Sequence, residues 1–261
     1  QSRPTQGVVS RPKMNPRHRP YQPRTRLGQS LVLLAGVLLS ADSSPASEAQ
    51  FEEANRLYET GRFPEAASLY RATATNGVSA NLLFNLGNAH FKAGQLGQAM
   101  AAYQRSLRLD PRNPETRANL RFAREQANTQ PPTLSLRQRW MRMLSLGEWT
   151  ALASMVITLF LLLLAVRQLK PEAFVGKPLW IRLPATGVVA TALLLAMAAS
   201  DYFSDSHAFV SVENATVRNG PLEESPESFK ATDGIELLVH DRKGDFLEVE
   251  SLLGLKGWIH S

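Results

Sequence analysis

The chain has 261 residues and no cysteine, which excludes a thiol nucleophile, a disulfide framework and a cysteine-type zinc site. Seven Lys and Arg precede residue 27 without any acid, so the net charge of +6 belongs to this tail, and 22 basic residues remain against 23 acidic ones. That balance predicts no nucleic-acid-binding surface, and the abrupt shifts in composition favour several small domains.

Residues 1–49 are predicted to be a basic n-region and a secretory signal peptide. The basic tail leads into "LGQSLVLLAGVLLSA", whose apolar core is short for a membrane span. Small, turn-prone residues follow, and cleavage is expected after Ala46 or Ala49. An uncleaved anchor is the alternative. Both a cleaved signal peptide and an uncleaved anchor predict that the chain from residue 50 onward is exported from the cytoplasm.

A period of 33 residues follows. Gly61 recurs as Gly94, and Ala66 recurs as Ala99. Small residues at two fixed places predict helix–turn–helix units, in which backbones pack closely and glycine opens the turn. The predicted domain, residues 50–126, comprises a weaker repeat at about 47–79, a near-consensus repeat at 80–113 and a capping helix, "PETRANLRFAREQ".

This pattern resembles the tetratricopeptide repeat (TPR). The resemblance implies protein binding in a concave groove lined by the first helix of each repeat. An Asn there offers an amide donor and acceptor to a passing backbone, and a Lys can meet a carboxylate. The alternative is that the matching side chains only stabilise the array or face water. They are Asn55, Tyr58, Phe84, Asn88, Phe91 and Lys92.

Two uncharged stretches of eighteen residues predict transmembrane helices at 149–166 and 183–200. A linker and interfacial segment, 127–148, precedes them, with Trp140 and Trp149 as candidate belt residues. The loop between the spans, 167–182, carries four basic residues against one acid and is predicted to be cytoplasmic by the positive-inside rule.

Residues 207–261 change to short alternating runs separated by the turn signals "RNGP", "TDG", "RKGD" and "LLG". Four or five short strands, forming a small barrel, are expected. The pattern, ending in "GWI", resembles the bacterial SH3-like domain. Phe246 stands where such domains often carry Trp, which weakens any inherited ligand assignment. Trp258 is expected to belong to the core or rim rather than to a ligand platform.

No catalytic constellation is visible. The five histidines have no ligand spacing, and no phosphate-binding loop, nucleophile elbow or "HExxH" occurs. The chain is therefore expected to be non-enzymatic, with no cofactor and no metal.

The order of modules resembles the E-type membrane proteins of the Bat (Bacteroides aerotolerance) family. The fold class is thus a multi-domain membrane protein: a helical TPR solenoid, two transmembrane helices and a small all-β SH3-like barrel. The resemblance implies a non-enzymatic scaffold in a bacterial inner-membrane complex of envelope stress and aerotolerance. Its implied partners are membrane proteins with von Willebrand factor A domains and, through them, a MoxR-type ATPase.

The predicted location is the bacterial inner membrane, with the TPR and SH3-like modules periplasmic. The alternative function is a peptidoglycan-binding envelope protein that acts through the SH3-like domain. A sensor that signals through the internal loop is a weaker third reading, because that loop is too short to fold alone.

Overall fold

A computed structural model describes residues 45–131, 133–204 and 207–261 of the chain. The predicted signal peptide lies almost wholly outside these residues. Along the chain, a set of short helices comes first, two long apolar helices follow, and the strands come last.

Five helices form an antiparallel stack, called here the repeat array: α1 (Pro45–Glu59), α2 (Phe63–Thr73), α3 (Ala80–Lys92), α4 (Leu96–Leu109) and α5 (Pro114–Gln126). Gly61 and Gly94 have φ values of +81° and +80°, a conformation that glycine adopts without steric cost, and each follows the first helix of its repeat. The repeat period in the sequence therefore corresponds to a structural period, and α5 covers the same residues as the predicted capping helix.

The interior of the array depends on one close contact between α3 and α4. A Cβ added at Gly87 would lie 2.5 Å from the ring of Tyr103, which is almost completely buried. Leu83 and Leu86 fill the layer toward the first repeat. Glycine at position 87 is thus required by the aromatic ring that packs on it.

A short helix α6 (Leu136–Met141) follows the array and leads into two long apolar helices, α7 (Leu146–Leu169) and α8 (Leu179–Phe203). Both are long and apolar enough to cross a membrane, and only 6% of each apolar window is buried. They pack as a hairpin around a short 3-10 turn at Pro171–Phe174. The start of α7 and the end of α8 therefore lie at the same end of the hairpin.

The remaining residues form the β module, residues 207–261, with six strands: β1 (His207–Phe209), β2 (Ala215–Arg218), β3 (Glu227–Ala231), β4 (Glu236–Lys243), β5 (Phe246–Ser251) and β6 (Lys256–His260). They make one antiparallel sheet in the order β1-β4-β5-β6-β2-β3. Its core contains Val217, Leu237 and Val249.

Two sequence expectations about the β module differ from the structure. There are six strands rather than four or five, and the sheet is open, because β1 and β3 are its two edges and do not pair with each other. Instead of closing the sheet, β1 places Phe209 against the apolar cluster of α3, α4 and α5. The expectation for Trp258 is confirmed: the residue is 9% exposed, and the Lys243 ammonium lies 5.1 Å from its ring centroid.

Candidate functional site

A ladder of Asn and Tyr side chains runs through the repeat array. In the first repeat, the Tyr70 hydroxyl donates to Asn55 Oδ1 over 2.6 Å. The Asn85 amide, on the first helix of the next repeat, donates to the same oxygen over 3.3 Å. One side-chain carbonyl therefore joins the two helices of its own repeat to the following repeat.

The second repeat builds the same arrangement. Asn88 Oδ1 accepts from the Tyr103 hydroxyl and from the Asn119 amide, both over 2.8 Å. Burial raises the pKa of both Tyr70 and Tyr103 well above the ordinary tyrosine value, so both hydroxyls remain protonated donors. The polar atoms of Asn55 and Asn88 that a ligand backbone would meet are thus partly engaged inside the array.

Four of the six predicted groove residues are nearly buried. Tyr58 packs edge-on against Phe63, with ring centroids 5.3 Å apart, and Phe84 lies 6.2 Å from the Tyr103 ring. The exposed fractions of Asn55, Tyr58, Phe84 and Asn88 are between 6% and 8%.

The other two predicted residues are accessible. Phe91 is half-buried and its ring lies 5.5 Å from that of Phe122 on α5, while Lys92 is exposed. Phe91, Lys92 and Phe122 are called here the α3–α5 patch. Ligand contact by any of the six residues stays a prediction, and the patch is where the structure leaves most surface for it.

His90 is a buried polar residue that its scattered position in the sequence did not single out. Its ring is 3% exposed, with Nε2 lying 3.1 Å from an Arg71 nitrogen and Nδ1 lying 2.6 Å from Gln95 Oε1. Because an arginine only donates, Nε2 must accept, so the ring is neutral with its proton on Nδ1. Burial lowers the pKa of His90 from its usual 6.5, in agreement with that assignment.

The N-terminus of α4 is capped from the far end of the chain. Gln95, the residue before the helix, makes no side-chain cap. The carboxylate of Asp233, in the turn between β3 and β4, accepts from the Leu96 backbone N–H over 2.7 Å and the Gly97 N–H over 2.9 Å. A carboxylate at this place satisfies two orphan donors and meets the positive end of the helix dipole.

Two glycines permit this docking. A Cβ at Gly97 would lie 1.8 Å from the carbonyl oxygen of Val210, so no other residue fits there without separating the modules. Gly234, with φ of +88°, lies where a Cβ would meet Ala127 at 2.6 Å. The repeat array and the β module are therefore in direct backbone-level contact.

A buried charged group lies beside this contact. Glu236 is fully buried and accepts from the Arg124 guanidinium over 3.0 Å. His207 Nδ1 lies 3.2 Å from the other carboxylate oxygen of Glu236. The three side chains come from α5, β4 and β1, and the geometry fixes the β module against the last helix of the array.

The array also contacts the apolar hairpin. Arg112, in the α4–α5 turn, pairs with Glu148 at the start of α7, and the Arg108 guanidinium lies 5.6 Å from the centroid of the Tyr202 ring. Arg142, before α7, donates to Asp201 at the end of α8 over 3.1 Å. Asp201 thus compensates part of the positive charge that precedes the first apolar helix.

Residues 51–114 match the family model described as tetratricopeptide repeat. This stretch is a TPR segment. The match runs from α1 to the first residue of α5, and TPR segments act as protein-interaction modules.

Among the described residues, no group of three or more His, Asp and Glu side chains is placed to hold a metal ion.

The chain is also 35% identical over 102 residues to the "Probable biofilm formation methyltransferase WspC" of Pseudomonas aeruginosa PAO1. That alignment covers 39% of this chain and 23% of the Pseudomonas protein. The chain thus spans about a quarter of the curated relative that it matches.

Proposed function

We propose that this protein is a non-enzymatic membrane scaffold that holds a TPR array and a β module together on one face of a bacterial inner membrane. The observation that carries the proposal is the capping of α4 by Asp233 across an apolar hairpin. Because α7 begins and α8 ends at the same end of that hairpin, the array and the β module emerge on one side and can touch. In a two-span membrane protein, that side is the same for both modules.

The charge of the loop between the two apolar helices indicates which side of the membrane the modules face. The loop between α7 and α8 contains Lys170 and Lys177 with a single acid, Glu172, which favours a cytoplasmic loop and periplasmic modules. The arginines before α7 favour the opposite orientation under the same rule. The pairing of Arg142 with Asp201 offsets part of their positive charge, so we give them less importance. An SH3-like assignment of the β module, a signal peptide and a Bat-type complex of envelope stress and aerotolerance belong to the same proposal.

The proposed partners are membrane proteins with von Willebrand factor A domains and, indirectly, a MoxR-type ATPase. The resemblance of the module order to the Bat E-type family supports them. Membrane attachment would keep the array near such partners and raise its effective concentration. We assign methyltransferase activity only to the Pseudomonas relative, because the shared 102 residues are 23% of that protein.

The orientation is testable because the chain contains no cysteine. Single cysteines would be placed at Ser228 in the β module and at Val175 in the exposed loop. We expect a membrane-impermeant thiol reagent to label S228C in cells with a permeable outer membrane, and V175C only after lysis. Equal labelling of both sites, or recovery of the protein without membranes, would contradict the proposal.

Partner binding is tested by affinity capture of the full chain from mild detergent. We expect Lys92→Glu in the α3–α5 patch to reduce recovery of a von Willebrand-type membrane protein. Lys230→Glu, which reverses another exposed lysine, on the edge strand β3, is the matched control. Unchanged capture by both variants would remove the patch from the proposal. Recovery of cell-wall fragments without a protein partner would favour the peptidoglycan alternative.

A further inference from the structure

A cavity of about 610 Å³ lies where the repeat array meets the apolar hairpin. Its walls come from α4, α5, the segment after α5, the start of α7 and the end of α8. This volume is in the range of small-molecule sites, about 300–1,000 Å³. The cavity is separate from the α3–α5 patch, none of whose residues lines it.

Part of the cavity lining is apolar. Leu134, Met141, Leu144 and Trp149 line it, and the Trp149 indole N–H donates to the Met141 carbonyl over 3.1 Å. The indole donor is therefore satisfied by the protein, and its ring is available for apolar contact. Trp149 and Tyr202 lie near the ends of the two apolar helices, the level at which aromatic side chains mark a membrane–water interface.

The lining is also rich in arginine. Five arginines line the cavity, against the carboxylates of Glu125 and Asp201. Three of them have the contacts given above, with Glu236, Asp201 and the Tyr202 ring. The five are Arg108, Arg117, Arg121, Arg124 and Arg142.

Arg117 and Arg121 differ from the other three. They are exposed and stand four residues apart on α5, a spacing at which like charges repel. Arg117 donates to the Pro111 carbonyl over 2.6 Å, and Arg121 has no hydrogen-bond or ion-pair partner within the described parts of the chain. Neither forms an ion pair with a carboxylate among those residues, so both guanidinium groups can donate to an anion in the cavity.

We propose that this cavity binds one anionic phospholipid, with its phosphate held by Arg117 and Arg121 and its acyl chains against the apolar lining residues. A guanidinium offers a planar pair of donors that matches a phosphate, and a phosphate would relieve the repulsion between the two arginines. The inference rests on the membrane placement of α7 and α8. Bound lipid would fix the array against the membrane surface.

An acidic peptide would satisfy the arginines equally well, but position favours lipid. Trp149, Ala198 and Tyr202, near the start of α7 and the end of α8, line the cavity. A phospholipid in the surrounding membrane reaches that level with a phosphate and two apolar chains already attached. An acidic peptide supplies the charge but would need separate apolar side chains for the apolar part of the lining.

The test is native mass spectrometry of the full chain in mild detergent, with added phosphatidylglycerol or phosphatidylcholine. We expect Arg117→Gln/Arg121→Gln to bind about ten-fold less phosphatidylglycerol, because two charge-assisted hydrogen-bonding groups are lost. Arg105→Gln/Arg139→Gln removes the same charge from exposed sites that do not line the cavity, and is the matched control. Wild-type protein is expected to prefer phosphatidylglycerol to phosphatidylcholine, and thermal unfolding confirms that each variant is folded.

Four results would overturn the inference. They are equal loss of lipid in the two double variants, no preference for the anionic lipid, displacement of the lipid by glycerol phosphate at equal concentration, and co-purification of an acidic peptide that the lipid cannot displace. Membrane fractionation separates this failure from that of the proposed function. If wild-type protein remains in membranes while its lipid binding fails, only the cavity inference is wrong.

Discussion

Helices α3 and α4 belong to one repeat, yet their N-termini are capped in different ways. The hydroxyl of Ser79, the residue just before α3, accepts from the Leu82 N–H over 3.1 Å. The cap of α4 is Asp233, 137 residues away from Leu96 in the chain. The N-terminus of α3 is thus capped by the neighbouring residue in the chain, whereas the N-terminus of α4 is capped by a residue of the β module. The array and its junction with the β module should therefore respond differently to substitution.

The largest effect is expected at the junction. Arg124→Met would leave the fully buried Glu236 carboxylate with His207 alone and should lower the free energy of unfolding by about 3 kcal/mol, since a buried charge loses its partner. The double variant Arg124→Met/Glu236→Leu should recover most of this loss. Thermal unfolding of the full chain in detergent measures both, and Arg105→Met on the exposed side of α4 is the control. A double variant no more stable than the single one would contradict the pairing.

Within the array, Gly87→Ala should cost about 2 kcal/mol, because a Cβ 2.5 Å from the Tyr103 ring over-packs a buried contact. Gly187→Ala in α8 is the matched control, because nothing lies within 4 Å of its added Cβ. We expect the control to be neutral or slightly stabilising. Equal unfolding temperatures for the two variants would show that α3 and α4 are packed less closely than described.

The two caps allow a direct comparison. Ser79→Ala and Asp233→Ala should each cost about 1 kcal/mol, the usual value of a helix N-cap. Only Asp233→Ala should also speed hydrogen exchange at the Leu96 and Gly97 amides and in β1, because it loosens the docking of the β module. Asp245→Ala, an exposed acid in the β4–β5 turn, serves as its control. Unchanged exchange at these amides would mean that Asp233 does not hold the modules together.

The smallest expected effect is a pH dependence confined to the array. Burial lowers the pKa of His90 in the folded chain below its usual 6.5. The unfolded chain therefore takes up a proton near pH 6.5 that the folded chain does not. The free energy of unfolding should consequently fall as the pH drops through about 6.5. His90→Gln should flatten that slope. A slope that survives His90→Gln would assign the titration elsewhere.

The sequence predicted the array well because its contacts are local and repeated. Gly61 and Gly94 marked the turns, and the capping helix was found residue for residue. Strand β3, Glu227–Ala231, has a weak strand pattern, because four of its five residues are polar or small and only Phe229 indicates a core face. An edge strand has one solvated side, so its hydrophobic pattern is weak.

The candidate site was less predictable than the fold. The TPR resemblance selected Asn55 and Asn88 for a groove, but could not show that Tyr70 and Tyr103 hydrogen-bond to them. Similarly, charge counting indicated no basic surface beyond the N-terminal tail, because acids and bases balance over that length. The folded chain nevertheless gathers arginines from α4, α5 and the segment before α7 around one cavity.

The sequence by itself determined the elements whose physical cause is local: helical period, turn glycines, and the length and apolarity of α7 and α8. Only the tertiary structure decided how the modules meet. Asp233 caps α4, Gly97 allows the Val210 backbone to approach closely, and Glu236 pairs with Arg124. These contacts form because the apolar hairpin returns the chain to the end at which it began. Such contacts join residues more than a hundred positions apart, and neither period nor composition carries information across that distance.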